Sequence, residues 1–363
     1  MRILMVSTTP LGREGIAGVI SNVVRRFPTD YVVDGAAPVG TDDRYCELFE
    51  SHGGKLIRTE RSVKHAFRYI RTLKKIIRDG NYDIVHVHGN SHTVVLELLA
   101  AKRAKSKNCV VHAHSTSCSS VLLHKLLTPI FSLLCKNRVA CGEKAGAFMY
   151  GQKKFLVLKN GIECERYAYS EQARRRIREE LSLDGKTVIA HVGAFTVNKN
   201  QAFIVGITGI LDRGEGGDYA CLLIGDGPEY GAVSALIREK GLEDRVILIG
   251  STDRVSDYLS AADLIVMPSH FEGFPLTLVE EQCSGLPCVV SDTITKETDL
   301  TGDLRFLSLS DGADGWAEEI RRLPASDRAE RSVSNIAAVK RAGYDIGEQV
   351  AVLCEYYGEL VKR

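Results

Sequence analysis

Glu272 and Glu280 stand eight residues apart in the segment Pro268–Pro287. Each carboxylate can accept two hydrogen bonds, which is what the vicinal hydroxyls of a ribose or a hexose offer. A strand-like run ends at Met267, Gly273 follows the first acid, and Pro275 sits where the first turn of a helix tolerates proline. Gly285 then stops that helix about ten residues later. A glycine ahead of a helix N-terminus leaves the amides of Phe274, Leu276 and Thr277 open to an anion, so a diphosphate flanked by two polyols suits the segment. Taken singly, either acid is a solvated helix-end charge favoured by the dipole. Apolar and special residues surround both, and the phrase as a whole points to sugar-nucleotide chemistry.

Three further clusters carry chemistry. In His191–Asn200, Gly193 lets the backbone approach a phosphate and Lys199 supplies positive charge. In Pro10–Val19 a glycine loop containing Gly15 joins a strand to a helix and suits a donor phosphate or an acceptor. His86 and His88, and His112 and His114, are pairs whose alternation puts both members on one strand face. A four-histidine metal site is the less favoured reading of them. Ile224–Pro228, with Gly225 and Gly227, reads as a tight structural turn.

The elements that must position these residues alternate. Apolar runs at 3–6, 83–87, 109–111, 187–192, 220–224, 246–249, 263–267 and 288–290 read as buried parallel strands. Segments of helical period lie between them, such as 63–78 with Val63, Phe67, Ile70, Leu73, Ile76 and Ile77 on one face. The pattern occurs twice, which predicts two doubly wound α/β domains. The seam falls near Lys159–Ile162, giving domains 1–162 and 163–342, and the chain after Pro324 reads as helical to Arg363.

Glu272, seven intervening residues and Glu280 resemble the paired-glutamate motif of family-four glycosyltransferases, most of all those of bacterial capsule and exopolysaccharide synthesis. That resemblance implies a GT-B fold: two Rossmann-like domains facing a cleft, an N-terminal acceptor domain completed by a final helix 343–363, and a C-terminal nucleotide-sugar domain. It implies a retaining, metal-independent hexosyl transfer from a nucleotide diphosphate sugar, with UDP favoured, to a glycan or lipid-linked hydroxyl. Glu280 would hold the ribose and Glu272 the donor sugar. Gly273, Phe274, Pro275, Leu276 and Thr277 would meet sugar and phosphates, with Gly15, Gly193 and Lys199 on the phosphates. His114 would lie near the reacting sugar, and His114, Lys199 and Glu272 form the catalytic set. Two departures stand out: Ala194 replaces a common arginine, and the loop at Gly15 lacks the family's paired glycines, with Ala17 in it. They keep open a non-catalytic donor-binding partner of another transferase, beside an epimerase on the same fold.

At 363 residues, 44% apolar and 26% charged, the chain supports two ordinary cores. Its ten cysteines include no C-x-x-C pair and suit reduced thiols in a cytoplasmic protein, and the resemblance implies neither metal nor cofactor. No signal peptide and no membrane span are expected. The net charge of +1 hides +11 through residue 165 and −10 beyond it. The basic half, with Lys64, Arg68, Arg71, Lys74, Lys75 and Arg78 on one helix, makes an anionic membrane face a candidate partner, hence a peripheral location. No aromatic interleaving accompanies the charge, so nucleic acid is not expected.

Overall fold

Thirteen parallel strands, the central ones aliphatic runs that bury both faces, form in the computed structural model, which describes residues 1–12, 15–214, 218–323 and 327–363. The chain forms two units, Met1–Gly161 with Gly343–Arg363, and Ile162–Ala342.

The first unit runs β1 (Arg2–Ser7), α1 (Ile16–Arg26), β2 (Val32–Pro38), α2 (Arg44–Glu50), β3 (Leu56–Thr59), α3 (Ala66–Gly80), β4 (Ile84–His88), α4 (Val95–Ala104), β5 (Cys109–Ala113), α5 (Val121–Leu134), β6 (Asn137–Ala140), α6 (Glu143–Tyr150) and β7 (Leu156–Val157). Its sheet order is β3-β2-β1-β4-β5-β6-β7. On one face α3, α4 and α5 bury Leu73, Ile77, Leu98 and Phe131 against Val85, Val87 and Val111.

The second unit runs α7 (Glu171–Glu180), β8 (Thr187–Val192), α8 (Gln201–Arg213), β9 (Tyr219–Ile224), α9 (Tyr230–Glu239), β10 (Val246–Gly250), α10 (Val255–Ala261), β11 (Leu264–Met267), α11 (Leu276–Cys283), β12 (Cys288–Ser291), β13 (Leu304–Leu307), α12 (Gly312–Arg322) and α13 (Arg328–Arg341). Its order is β10-β9-β8-β11-β12-β13, with a core on each face of the sheet. The chain then ends in α14 (Ile346–Lys362), which packs against α1 and belongs to the first unit.

Three local expectations change. Val63 lies ahead of α3, and Phe67 is 85% exposed; the buried stripe is Tyr69, Ile70, Leu73 and Ile77. A helix buries one face only, so the apolar positions at its start fall off the core stripe. Pro275 caps α11 with φ −72° and ψ 115° and is not its first helical residue. The helical tail is two helices, because Gly343 at φ 78° breaks the run between α13 and α14. Strands β2, β3, β6 and β13 are not legible as isolated apolar runs: β2 carries Asp34 and Gly35, and β13 carries Arg305.

Gly285, just past α11, has φ 71°, and a Cβ there would lie 2.7 Å from the Ser332 nitrogen and 2.8 Å from the Arg328 oxygen. Gly241 has φ 64° with open space around it. Both alanine substitutions incur a left-handed backbone cost of about 1–2 kcal/mol, and Gly285→Ala adds about 1–3 kcal/mol of overpacking against backbone that cannot swing away. Urea denaturation should therefore rank Gly285→Ala well below Gly241→Ala in stability; equal losses would refute the contact argument.

Candidate functional site

In the second unit β8 and β11 are neighbours at the point where strand order reverses, so the loops leaving their carboxyl ends diverge and leave a crevice. The loop after β8 carries Gly193 and Lys199, and the loop after β11 carries Glu272 and Gly273. Two asparagines bind them together. The Asn198 side chain donates to the Phe271 carbonyl at 2.7 Å, and His270 N–H donates to the Asn198 carbonyl at 2.8 Å. Asn200, in the left-handed region at φ 58°, donates from its side chain to the Pro268 carbonyl at 3.2 Å. Between them Lys199 Nζ meets Glu272 Oε1 at 2.8 Å, with both side chains 15% exposed. The Glu272 backbone also pairs with Ile294 in an isolated parallel bridge, which fixes the acid's approach.

The wall behind Gly193 is built by Ile224–Pro228. Phe195 N–H donates to the Asp226 carbonyl at 3.0 Å, and Glu229 N–H donates to the Phe195 carbonyl at 2.9 Å. A Cβ on Gly225, whose φ is 142°, would fall 2.0 Å from the Gly193 oxygen. The turn is thus structural, as its composition suggested, and its task is to press the Gly193 loop into place. Beneath it His191 is fully buried, donates from Nδ1 to the Val266 carbonyl at 2.9 Å, and is pushed down to about 4 by burial and then by the charge of Lys199. Gln201 donates to the Ala194 carbonyl at 2.9 Å, which orients the loop at the position where an arginine is missing.

Helix α11 starts with no side-chain cap, so its first-turn amides, those of Leu276 and Thr277 among them, have no cap partner of that kind. Gly273 has nothing within 4 Å of where a Cβ would sit, and Thr277 Oγ1 is buried with no hydrogen-bond partner. One and a half turns on, Glu280 is half-buried and accepts from the Tyr167 hydroxyl. Desolvation raises its carboxyl to about 7, against the lowering effects of Tyr167 and Arg166. Its neighbour Glu281 is fully buried with both oxygens unpartnered, and burial holds it well above the usual carboxylate range. The structure therefore assembles Gly193, Lys199, Glu272, Gly273, Phe274, Pro275, Leu276, Thr277 and Glu280 on the loops and helix at one sheet edge. Sequence reasoning missed Asn198, Asn200, Tyr167 and Glu281; the asparagines flanking Lys199 were the available signal for the clamp.

Gly15 and His114 lie in the first unit. Gly15, at φ 62° and ψ −129°, is the N-cap of α1, a conformation that glycine alone adopts without strain. Arg13 and Glu14 of the same loop lie outside the described residues. His114 follows β5, donates its backbone N–H to Asn90 Oδ1 at 2.9 Å, and shares a 2.9 Å contact with His88 Nδ1. His86, His88 and His112 line the same face; His88 stacks on His86 at 4.5 Å and on His114 at 5.1 Å between ring centroids. His86 Nδ1 meets the Tyr357 hydroxyl of α14. One nitrogen from each of His86, His88 and His112 lies within 4.8 Å of the others, whereas tetrahedral Zn–N bonds of about 2.0–2.1 Å place ligand nitrogens about 3.4 Å apart. No carboxylate is among the groups that shift these rings. The donor set fits a network of neutral imidazoles better than a dication.

Two family descriptions match the chain, Glycosyltransferase Family 4 over residues 14–166 and Glycosyl transferases group 1 over residues 173–338. EpsF of Bacillus subtilis (strain 168), a protein named as a glycosyltransferase, is 30% identical over 96% of this chain and 94% of its own. The UDP-Gal:alpha-D-GlcNAc-diphosphoundecaprenol alpha-1,3-galactosyltransferase of Escherichia coli is 29% identical over 61% of this chain and 60% of its own. Among solved structures, Anabaena HepE in complex with UDP superposes with a TM-score of 0.78 at 16% identity, covering 99% of this chain and all of that one.

The buried histidines set a pH response. His86 and His114 are lowered by burial to about 3 and about 4, and His88 and His112 well below 6.5. Unfolded imidazoles protonate near 6.5, so the unfolded first unit binds more protons in that window, and its stability falls as pH falls from 6.5 toward 4. Each histidine contributes up to about 1.4 kcal/mol per pH unit. In the second unit His191 acts likewise, but Glu280, raised to about 7, and Glu281, held well above the usual carboxylate range, oppose it, since the fold binds their protons more tightly than the unfolded chain does. Hydrogen exchange corrected for intrinsic rates should show β4 and β5 amides losing protection between pH 7 and pH 5 while β11 and α11 hold theirs. Uniform loss across both units would contradict this.

Proposed function

Because the chain belongs to the family-four glycosyltransferases and has their GT-B fold, we propose that it transfers a sugar from a UDP-sugar to a hydroxyl of a glycan or lipid-linked acceptor, with retention of anomeric configuration and without a metal ion, in surface-polysaccharide synthesis. The observation that carries the reading is the Lys199–Glu272 pair, held by Asn198 and Asn200 beside the uncapped start of α11. In the free protein Glu272 occupies Lys199. An entering diphosphate would take over that ammonium, and the open amides of Leu276 and Thr277 would share its charge. Glu272 would then be released toward the donor sugar's hydroxyls. Glu280, already an acceptor for Tyr167, would take the ribose hydroxyls.

The UDP preference is supported by the E. coli relative, named for UDP-Gal, and by the UDP complex of the HepE neighbour. The lipid-linked acceptor is supported by the diphosphoundecaprenol in the same relative's name. In this reading attack comes from the face the diphosphate leaves, because Glu272 is committed to Lys199 and to hydroxyl recognition and does not serve as a covalent nucleophile. His114 is neutral at pH 7. It would serve as a hydrogen-bond partner of the reacting sugar and not as a general acid. The Ala194 position lacks a charge that would assist departure, which leaves that task to Lys199 and the helix amides.

Glu280→Ala should weaken UDP binding by about 1–3 kcal/mol, the worth of a buried acceptor. A 2′-deoxyribose donor should lose less affinity in that variant than in the wild type; equal losses would remove Glu280 from the ribose. A donor screen with UDP, GDP and ADP sugars should release nucleotide only when acceptor is present, with the donor's anomeric configuration kept in the product by NMR. Activity should persist with a chelator. Donor binding without turnover would leave a non-catalytic binding partner, and abolition by chelator with recovery on Mg²⁺ would refute metal independence.

A further inference from the structure

Helix α5 is built the wrong way round for a domain surface. Only His124 and Phe131 of its fourteen residues are fully buried, while Leu122 is 82%, Leu126 71%, Leu133 74%, Val121 54% and Ile130 45% exposed. Spacings of three and four place Leu122, Leu126, Ile130 and Leu133 on one outward stripe, with exposed Pro129 beside it. Scattered surface leucines need no explanation, whereas a contiguous apolar stripe marks a contact surface. Five of the thirteen exposed large apolar side chains among the described residues are on this one helix. Helix α3 shows the ordinary arrangement, with Tyr69, Ile70, Leu73 and Ile77 inward and its cations outward.

We propose that α5 is a membrane-docking element, which lies in the interface of an anionic bilayer with Leu122, Leu126, Ile130 and Leu133 among the acyl chains. Charge selects this occupant. Residues 102–159 carry eleven Lys or Arg against a single carboxylate, Glu143. Lys125 on the helix and Lys136 just past its end are exposed. On its flank a cavity of about 370 Å³ between α5 and α6 is lined by Lys125, Thr128, Ser132, Arg138, Phe148 and Lys153, cations above apolar walls that match a phosphate headgroup on its chain. A symmetric second copy would bring this basic rim against itself. At fourteen residues α5 is too short to span a bilayer, and no helix of the described residues is long and apolar enough to do so. The remaining geometry is in-plane docking.

The inference deepens the lipid-linked half of the proposed function. His114 and α5 are joined by only Ser115–Ser120, so docking α5 holds the carboxyl end of β5 next to the surface where a lipid-anchored acceptor emerges.

The test uses the full chain and vesicles of phosphatidylcholine with or without phosphatidylglycerol. The wild type should sediment with phosphatidylglycerol vesicles and keep part of its binding in high salt, because inserted leucines are not screened. Leu122→Ser/Leu126→Ser/Leu133→Ser should lose about tenfold or more of that affinity with its melting temperature and UDP binding unchanged. Lys125→Glu/Lys153→Glu should lose only the salt-sensitive part. Leu126→Trp should shift its emission to the blue on the anionic vesicles, against the constant background of the buried Trp316. Equal sedimentation of wild type and triple serine variant, or an unshifted Leu126→Trp emission, would overturn the proposal. So would a lipid-free dimer that the same three serines dissociate. Vesicle binding is read without donor, and transfer to a water-soluble acceptor is read without vesicles, so failure of docking and failure of the transferase reading are separate results.

Discussion

The tie between the loop after β8 and the loop after β11 is the interaction on which the site depends. Parallel strands deliver both loops to the same sheet edge, yet that alone does not bring an ammonium to 2.8 Å from a carboxylate. Asn198 and Asn200 satisfy the carbonyls of Phe271 and Pro268, and Lys199, between them, meets Glu272. An ion pair assembled this way pays little side-chain entropy on meeting a ligand, since neither partner has to be ordered first. The rest of the second unit can be read as support for that tie: Gly225 and Gly227 allow Ile224–Pro228 to press on the Gly193 loop, and Gly285 lets α13 close over the far end of α11.

The same architecture shows how unlike the two sheets are. In the second unit both faces are apolar cores, and polar groups concentrate at the strand ends. In the first, one face is apolar, while the other, where Ile3, Met5, Ile84 and Val110 are also buried, carries four imidazoles in contact with one another and with Tyr357. His88 and His114 share a hydrogen bond, both ring nitrogens of His112 are buried without a partner, and burial keeps the rings neutral, so the row places no net charge in the core.

Much of this was legible from residue order, for reasons that differ by level. Strands buried on both faces announce themselves as uninterrupted apolar runs, and β8 matches its sequence span, Thr187 to Val192. Edge or polar-bearing strands do not: Asp34 in β2 is accommodated by Arg2, Tyr82 and the Lys55 amide, partners distant in sequence. The two acids and the helix start were readable because their spacing is local. The clamp, the Tyr167–Glu280 contact and the burial of Glu281 were not, because each is made by chain segments that a linear reading cannot bring together. The helix at 63–78 misled in the opposite way. Val63 and Phe67 fit the period, but period shows only that residues share a face, and the core covers a limited length of it.

The contact between His86 and Tyr357 spans 271 residues of chain. It makes the first unit the last to be finished. A ribosome emits β1 through β7 early, but the helix that covers their histidine face emerges only after the whole second unit has been made. During that interval the imidazoles face water or a chaperone, and closure of the first sheet waits until Ile346–Lys362 has been made. A chain that stops between Ala342 and α14 would therefore have a complete second unit and an unroofed first one. The cell's quality control would meet this protein chiefly as a half-finished N-terminal domain.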